Sequence, residues 1–385
     1  MSPMPNLIYA DHAATTPVRQ EVLQAMLPYF SQQYGNPSSL YRLGRQAKAA
    51  LEQARERVAH CLNASPEEIF FTSGGSEGDN WAVMGMALAG KAQGKHHLIT
   101  TAMEHPALLE SCKFLEKQGI RVSYLPVNSS GFLAPEQVEA AMDQDTFLVS
   151  IMYANNEIGT IQPIPDIGAI CRKKGIPFHT DAVQAAGWLP MDVQAQHIHL
   201  LTLSAHKFGG PKGVGVLYCQ KGLLLHPLIH GGKQETGRRA GTENVAGAVG
   251  LAAALELAQQ DQALRCRNVS EKRNWLEQKL SALPDCIVNG AEPRLPGHLN
   301  LSFPGVEGES LLLYLDAQGI AASSGSACSS GSGKPSHVLL ALGRSENEAK
   351  GSLRLTIGEE LSWEDCRRLV KVMESALEFL RFDAP

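Results

Sequence analysis

Residues 175–220 read GIPFHTDAVQAAGWLPMDVQAQHIHLLTLSAHKFGGPKGVGVLYCQ. Three short, mostly apolar runs stand out, PFHTD, IHLLTLS and GVGVLYCQ, separated by polar or glycine-rich turns. Short apolar runs bounded by turn residues predict buried strands, and the last two are close enough to be neighbours. The same rhythm extends upstream. EIFFTSGGSEGDNWAVMGMALA (68–89) reads as strand, glycine turn and helix, and HHLITTAMEHPALLESCKFLEKQG (96–119) repeats it. DTFLVSIMYANNEIGT (145–160) leading into DIGAICRKKG (166–175) repeats it again. Strands alternating with helices predict an α/β fold with a mostly parallel sheet covered on both faces.

The flanks differ from this centre. VRQEVLQAMLPYF (18–30) and RLGRQAKAALEQARERVAHCL (42–62) have helical apolar spacing with charges on the opposite face. From about residue 256 one long helical stretch, 255–283, is predicted, followed by GHLNLSFPG, a helix in GESLLLYLDAQG, a serine/glycine loop, SLRLTIG and a last amphipathic helix. Helices with a few strands in runs predict a smaller α+β lobe. At 385 residues the chain exceeds one compact core, which agrees with two lobes.

Composition narrows the function classes. Hydrophobic residues are 44% and charged residues 19%, ordinary for a globular protein. A net charge of −5 argues against nucleic acid or an acidic membrane surface as the main partner. The start has no basic stretch followed by an apolar run, so no signal peptide is expected. The longest apolar stretch, VAGAVGLAAALELA, is about 14 residues, short of the ~20 that span a bilayer. A cytoplasmic protein is the expectation. The eight cysteines are scattered and none forms a C-x-x-C pair, which fits separate reduced thiols. Most sit in strand or helix patterns as small buried hydrophobes, whereas Cys328 lies in SSGSACSSGSGKPS (323–336).

Ligands gather at the carboxyl ends of strands in such sheets, and the polar residues concentrate there. SGGSEGDN after IFFT offers backbone N–H groups at a helix start and the hydroxyl of Ser76, a candidate phosphate cradle. Asp181 and Gln184 follow one strand; Ser204, His206 and Lys207 follow the next. A lysine at one strand end with an aspartate on a neighbouring strand suits pyridoxal phosphate. That cofactor needs an amine for its aldehyde, a carboxylate to keep its ring nitrogen protonated, and donors for its phosphate. Lys212 competes with Lys207 as the amine. His105 lies just past a strand, where stacking, proton transfer and helix capping are all open to it. Asn155 and Asn156 sit in a turn, and Arg238, Arg239 and Thr242 in a glycine-bracketed loop suited to an anion. Arg354, in an apolar strand, calls for a carboxylate or phosphate partner. His197 and His199 have metal-like spacing but read as alternating strand positions, so no metal is expected.

Taken in order, YADHAATTP, YGNPSS, EIFFTSGGSEGDN, EHPALLE, SIMYANNEIGTIQPI, HTDAVQAAG, SAHKFGGPKGVG, HGGKQETGRRAGTENV, SSGSACSS and SLRLTIG resemble the cysteine desulfurases of the NifS/IscS type, from Tyr9 to at least Gly358. The resemblance implies a pyridoxal-phosphate-dependent transferase of fold type I (aspartate-aminotransferase-like), acting as a homodimer. It implies a large domain over 16–257 and a small one built from 1–15 and 258–385. Lys207 would form the Schiff base with pyridoxal 5'-phosphate, Asp181 would pair with the ring nitrogen, Gln184 with the ring hydroxyl, and His105 would stack on the ring. Gly75 and Ser76, Ser204 and His206 would hold the phosphate, with Thr242 arriving from the partner subunit. Asn155 and Arg354 would orient L-cysteine, Arg354 taking its carboxylate. Cys328 would accept the sulfur as a persulfide, for delivery to an acceptor such as an iron–sulfur scaffold or tRNA thiolation. His105 is the candidate for proton traffic at that thiol.

Departures are confined to a few places. The family usually has threonine at Ser76 and a larger residue at Gly78. The segment from Cys328 to His337 matches the branch with a long, mobile cysteine loop, and the sequence closes on ALEFLRFDAP without the longer C-terminal tail that some members use to reach an iron–sulfur scaffold, which leaves the scaffold partner open. A selenocysteine lyase or another class V aminotransferase would share Lys207, Asp181 and Gln184. A sulfur-delivery scaffold without catalysis would need none of them together.

Overall fold

The structure is a computed structural model that describes residues 7–324 and 334–382. Cys328 lies outside the described residues. The strands in chain order are β1 (Ile8–Tyr9), β2 (Ile69–Thr72), β3 (His97–Thr101), β4 (Arg121–Leu125), β5 (Thr146–Ser150), β6 (Phe178–Asp181), β7 (Leu200–Ser204), β8 (Gly215–Cys219), β9 (Ile287–Asn289), β10 (His298–Ser302), β11 (Ile320–Ala321) and β12 (Ser352–Thr356).

Seven of them form the central sheet in the order β2-β8-β7-β6-β5-β3-β4. Only β8 runs against its neighbours; the β3–β4, β3–β5, β5–β6 and β6–β7 pairs are parallel. The two runs expected to be neighbours, β7 and β8, do pair, Leu200 facing Cys219 through Ser204 facing Gly215. Every residue of β2, β3, β5, β6, β7 and β8 is buried, as a sheet covered on both faces requires. Helix Gly75–Ala92 leaves β2, helix Pro106–Glu116 leaves β3 and helix Ile164–Lys174 follows β5. Because β2, β3, β5, β6 and β7 point the same way, their carboxyl ends share one edge.

A three-stranded antiparallel sheet, β12-β10-β9, and the parallel pair β1–β11 lie apart from it in sequence. A separate apolar cluster joins Ile8 and Ala10 to Val269, Leu299, Phe303, Leu353, Leu369 and Met373. The chain's first residues therefore pack with its last third. Asp11 bridges to Thr356 of β12, which brings the N-terminal segment and the second sheet to the strand-end edge of the first.

The predicted single helix over 255–283 is two helices, Val245–Gln259 and Gln262–Leu280. Gln260 is extended and Asp261 is left-handed at φ 51°, so the helical ladder is interrupted there. An aspartate tolerates that conformation better than most residues because its short side chain bonds locally. Helix Val245–Gln259 is buried nearly all round, packed against helix Arg42–Leu62, which explains its unbroken apolar composition. No helix among the described residues is long and apolar enough to cross a membrane.

Candidate active site

The carboxyl ends of β6 and β7, the turn after β2 and a strand of the second sheet converge on one cavity of about 280 Å³. Its walls include Gly75, Ser76, His105, Asp181, Gln184, Ser204, His206, Lys207 and Arg354, which the sequence had singled out, together with Asp79, Met152 and Asn156.

Ser204 ends β7, and the following short turn, Ala205–Lys207, carries His206 and Lys207. The Lys207 Nζ donates to the carbonyls of Ala13 (2.5 Å) and Ala14 (2.8 Å), so the N-terminal segment fixes the amine over the cavity. The same segment receives Gln184, whose Nε2 donates to Ala13 O at 3.0 Å. His206 Nδ1 lies 3.1 Å from Thr15 Oγ1. Lys212, the competing amine, is exposed and does not line the cavity.

Asp181 is the last residue of β6, 6% exposed, and accepts from the Val183 N–H at 2.9 Å. Burial raises its carboxyl to about 6, against the opposing pull of the Val183 N–H and the Lys207 charge. A carboxylate so placed is stabilised by a cationic N–H in the cavity.

His105 caps helix Pro106–Glu116: its Nδ1 accepts the Ala107 N–H at 3.1 Å. Capping and cavity lining are thus both true of it. With Nδ1 accepting, the proton of the neutral ring belongs on Nε2. Burial, and next the Lys207 charge, lower its pKa to about 4. The ring is uncharged at neutral pH.

Arg354 enters from β12 and is 2% exposed. Its Nη2 donates to Asp11 Oδ1 at 2.8 Å and its Nη1 to Asn156 O at 3.3 Å, while the buried Nε has no hydrogen-bond partner. Part of the guanidinium fork is therefore available to an oxyanion in the cavity.

Several residues singled out in the sequence lie elsewhere. Asn155 is fully buried and does not line the cavity. Its Nδ2 donates to Met103 O and its Oδ1 accepts from the N–H groups of Glu157 and Ile158, so the amide is spent on shaping its own turn. Its neighbour Asn156 is the one at the wall. Thr242 is exposed and away from the cavity of its own chain. Arg239 pairs with Glu77 at 2.8 Å, and Arg238 stacks over Phe70 at 5.3 Å, neither at the wall. His199 accepts from Phe178 N–H, and His197 Nδ1 lies 3.2 Å from Arg172. Asp79 escaped the sequence reading because nothing in SEGDN distinguishes it from an ordinary polar residue near the start of a helix.

The backbone at Gly74 and Gly75 is bare by necessity. Gly74 has φ 153°, and a β-carbon on Gly75 would come within 2.9 Å of Val183 Cγ2. Helix Gly75–Ala92 starts there, so its first N–H groups and its positive end face Ser204 across an open cradle. That cradle fits an anionic phosphate, and the buried Asp181 carboxylate with the Lys207 amine fits a cationic heteroaromatic aldehyde.

The fold is that of fold type I pyridoxal-phosphate proteins. Residues 8–369 match the family Aminotransferase class-V, and the chain belongs to that family, whose members depend on pyridoxal phosphate. It is 50% identical over 382 residues to Cysteine desulfurase IscS of Clostridium botulinum, covering 98% of this chain and 96% of that one. It is likewise 50% identical over 379 residues to Cysteine desulfurase IscS of Methanosarcina thermophila, covering 98% and 94%. Among solved structures, a NifS-like protein superposes with TM-score 0.92 at 40% identity, covering 97% of this chain and 100% of that one. SspA in complex with cysteine superposes with TM-score 0.81 at 39% identity, covering 91% and 99%.

Proposed function

We propose that this protein is a pyridoxal-phosphate-dependent cysteine desulfurase, converting L-cysteine to L-alanine and delivering the sulfur as a persulfide on Cys328. The observation that carries the reading is the convergence of Lys207, Asp181 and Arg354 on one cavity beside the bare Gly74–Gly75 cradle. The full-length likeness to named cysteine desulfurases supports it.

In this reading the N-terminal amides of helix Gly75–Ala92 with Ser76, Ser204 and His206 hold the cofactor phosphate. Asp181 faces the ring nitrogen, Gln184 the ring hydroxyl, and the uncharged His105 ring lies on the ring face. When bound, the cofactor supplies an electron sink for the substrate Cα. Arg354 binds the substrate carboxylate with the part of its fork that Asp11 and Asn156 leave open. Asn155 serves at one remove, by shaping the turn that presents Asn156. Lys207, held by the Ala13 and Ala14 carbonyls, is placed to move the Cα proton. The Cys328 thiolate attacks the substrate sulfur: an S–S bond forms, the C–S bond breaks, and the electron pair stays with the carbon, which takes up a proton on the way to alanine. A free thiol has pKa near ~8.5, so the nucleophile needs a proton acceptor. His105 fills that role only by exchanging its Ala107 bond for a proton.

The reading extends to assembly. The exposed apolar residues Phe30, Tyr34, Leu40 and Tyr41 support a homodimer, and the exposed Thr242 supports its service in the partner's cavity. The separate apolar clusters support a large domain over 16–257 and a small one from 1–15 and 258–385. The acceptor is read as a sulfur-receiving protein such as an iron–sulfur scaffold, in the cytoplasm; seven described cysteines without disulfides support a reducing compartment.

The test is product analysis with L-cysteine and a reductant. The parent releases alanine and sulfide in equal amounts, whereas Cys328→Ala keeps the cofactor absorbance but forms neither persulfide nor more than a trace of alanine. Undiminished turnover by Cys328→Ala would remove Cys328 from the mechanism.

A further inference from the structure

Behind Asp181 lies a second buried carboxyl group. Asp79, in the first turns of helix Gly75–Ala92, is 1% exposed, and its Oδ1 has no hydrogen-bond partner. Thr202 of β7 is its side-chain partner. The Thr202 Oγ1 lies 3.0 Å from His179 Nε2, and His179 Nδ1 lies 2.8 Å from Ser150 Oγ. Asp181 and His179 are two apart on β6 and so share a face of the sheet. Asp181 stands beside Thr202 in the β6–β7 register, and His179 beside Ser150 in the β5–β6 register. Gly78 makes this approach possible, since a β-carbon there would fall 2.6 Å from Thr202 Cγ2.

Two proton arrangements satisfy the chain Asp79–Thr202–His179–Ser150. In one, Asp79 is ionised and accepts from Thr202, which accepts from His179. In the other, Asp79 is a neutral acid donating to Thr202, which donates to His179 Nε2, while Nδ1–H donates to Ser150. The surroundings choose between them. The groups facing Asp79 are His179 and Asp181 from β6 and Glu104 from the segment after β3, two of them acidic. The His179 Nε2 to Asp79 Oδ1 separation is 3.8 Å, and burial holds that imidazole neutral, near about 3. Lys207 acts on Asp181 rather than on Asp79. A buried carboxylate with no cation and a like charge beside it takes a proton, and burial followed by the Asp181 charge raises Asp79 well above the carboxylate range.

We propose that Asp79 is a positioning residue held as a neutral carboxylic acid, hydrogen-bonded through Thr202 to His179, so that Asp181 alone presents negative charge to the cavity. This rests on the reading of Asp181 as the partner of the cofactor's ring nitrogen. A second charge behind Asp181 would draw its proton-binding upward; a neutral acid leaves it ionised for the ring.

Infrared spectroscopy of the cofactor-loaded protein tests this directly. The parent-minus-Asp79→Asn difference spectrum shows the carbonyl stretch of a protonated acid; carboxylate stretches in its place overturn the proposal. With ¹³C-aspartate labelling, Thr202→Val moves one labelled acid band to higher frequency as the hydroxyl partner is lost, without touching Asp79; an unmoved band overturns the relay. Stability gives an independent sign. A carboxyl raised in the folded state keeps its stabilising share below the unfolded pKa of ~3.9 and loses it as pH rises. Asp79→Asn therefore gains melting temperature on the parent as pH climbs from about 4 to 8, and a constant or shrinking difference overturns the neutral state. Asp181→Asn separates the two readings: if it leaves the cofactor absorbance and affinity unaltered, the role of Asp181 fails, while the Asp79 band is still read on its own.

Discussion

Arg354 is almost wholly buried, yet its buried Nε finds no partner. A guanidinium taken out of water needs its donors satisfied, and Asp11 with the Asn156 carbonyl satisfies only one side. A carboxylate, planar and with two oxygens, is the partner that a guanidinium fork takes best. Lysine would keep the charge but lose the fork. Arg354→Lys is expected to raise KM for L-cysteine roughly 10–100-fold, the worth of a charged hydrogen bond of about 1.5–3 kcal/mol. Cofactor absorbance and affinity should stay near the parent's, and steady-state kinetics alongside cofactor titration check the split. A variant that loses cofactor instead would place Arg354 on the phosphate. At this scale the sequence was most legible where chemistry and position agreed. Lys207 and Lys212 both follow β7, but only Lys207 lies in the turn directly after it, where the N-terminal carbonyls can hold it. Asn155 and Asn156 could not be told apart, because which amide faces a cavity depends on a turn whose bonds are invisible in one dimension.

Helix Gly75–Ala92 does for the site what no single residue can, since its first turn is the cradle and its body lies on the sheet. It is let down onto its neighbours by glycines. At Gly85 a β-carbon would sit 2.6 Å from the His226 carbonyl oxygen, the same oxygen that accepts the Trp81 Nε1–H at 2.9 Å. Backbone cannot step aside as a side-chain tip can. Gly85→Ala should therefore destabilise the fold by about 1–3 kcal/mol despite alanine's better helix propensity. The cofactor should also bind less tightly as the first turn shifts, which a melting curve and a cofactor titration read together; a more stable variant would show that the helix has slack here. The elements themselves were legible because strands buried on both faces are written as uninterrupted apolar runs, from IFFT to GVLYC. The break at Gln260–Asp261 was not, since glutamine and aspartate at a helix end look like a solvated helical face until Asp261 turns left-handed.

At the scale of the whole molecule, one chain supplies a cavity but leaves its loop of Arg238, Arg239 and Thr242 outside it. Exposed Phe30 (62%), Tyr34 (66%) and Leu40 (88%) leave apolar surface in water on the same chain. A two-fold dimer would cover such a surface with its own copy, and an isologous contact lets each chain lend a residue to the other's site. The two facts make a single prediction. In the proposed reading Thr242→Ala would damage the phosphate contact and Lys207→Ala would remove the amine, so each variant dimer would be impaired at both sites. When the two variants are unfolded and refolded together, half the dimers are mixed. If Thr242 serves the partner's cavity, each mixed dimer holds one chain with Lys207 intact, facing the intact Thr242 of the other. About a quarter of all sites then recover, with alanine formation rising accordingly. If Thr242 serves its own chain, the intact lysine always sits beside the damaged threonine and mixing restores nothing. A companion measurement fixes the cause: Leu40→Asp introduced into both variants should shift sedimentation toward the monomer and abolish the recovery, because the exchange depends on the apolar contact and not on the protein concentration alone.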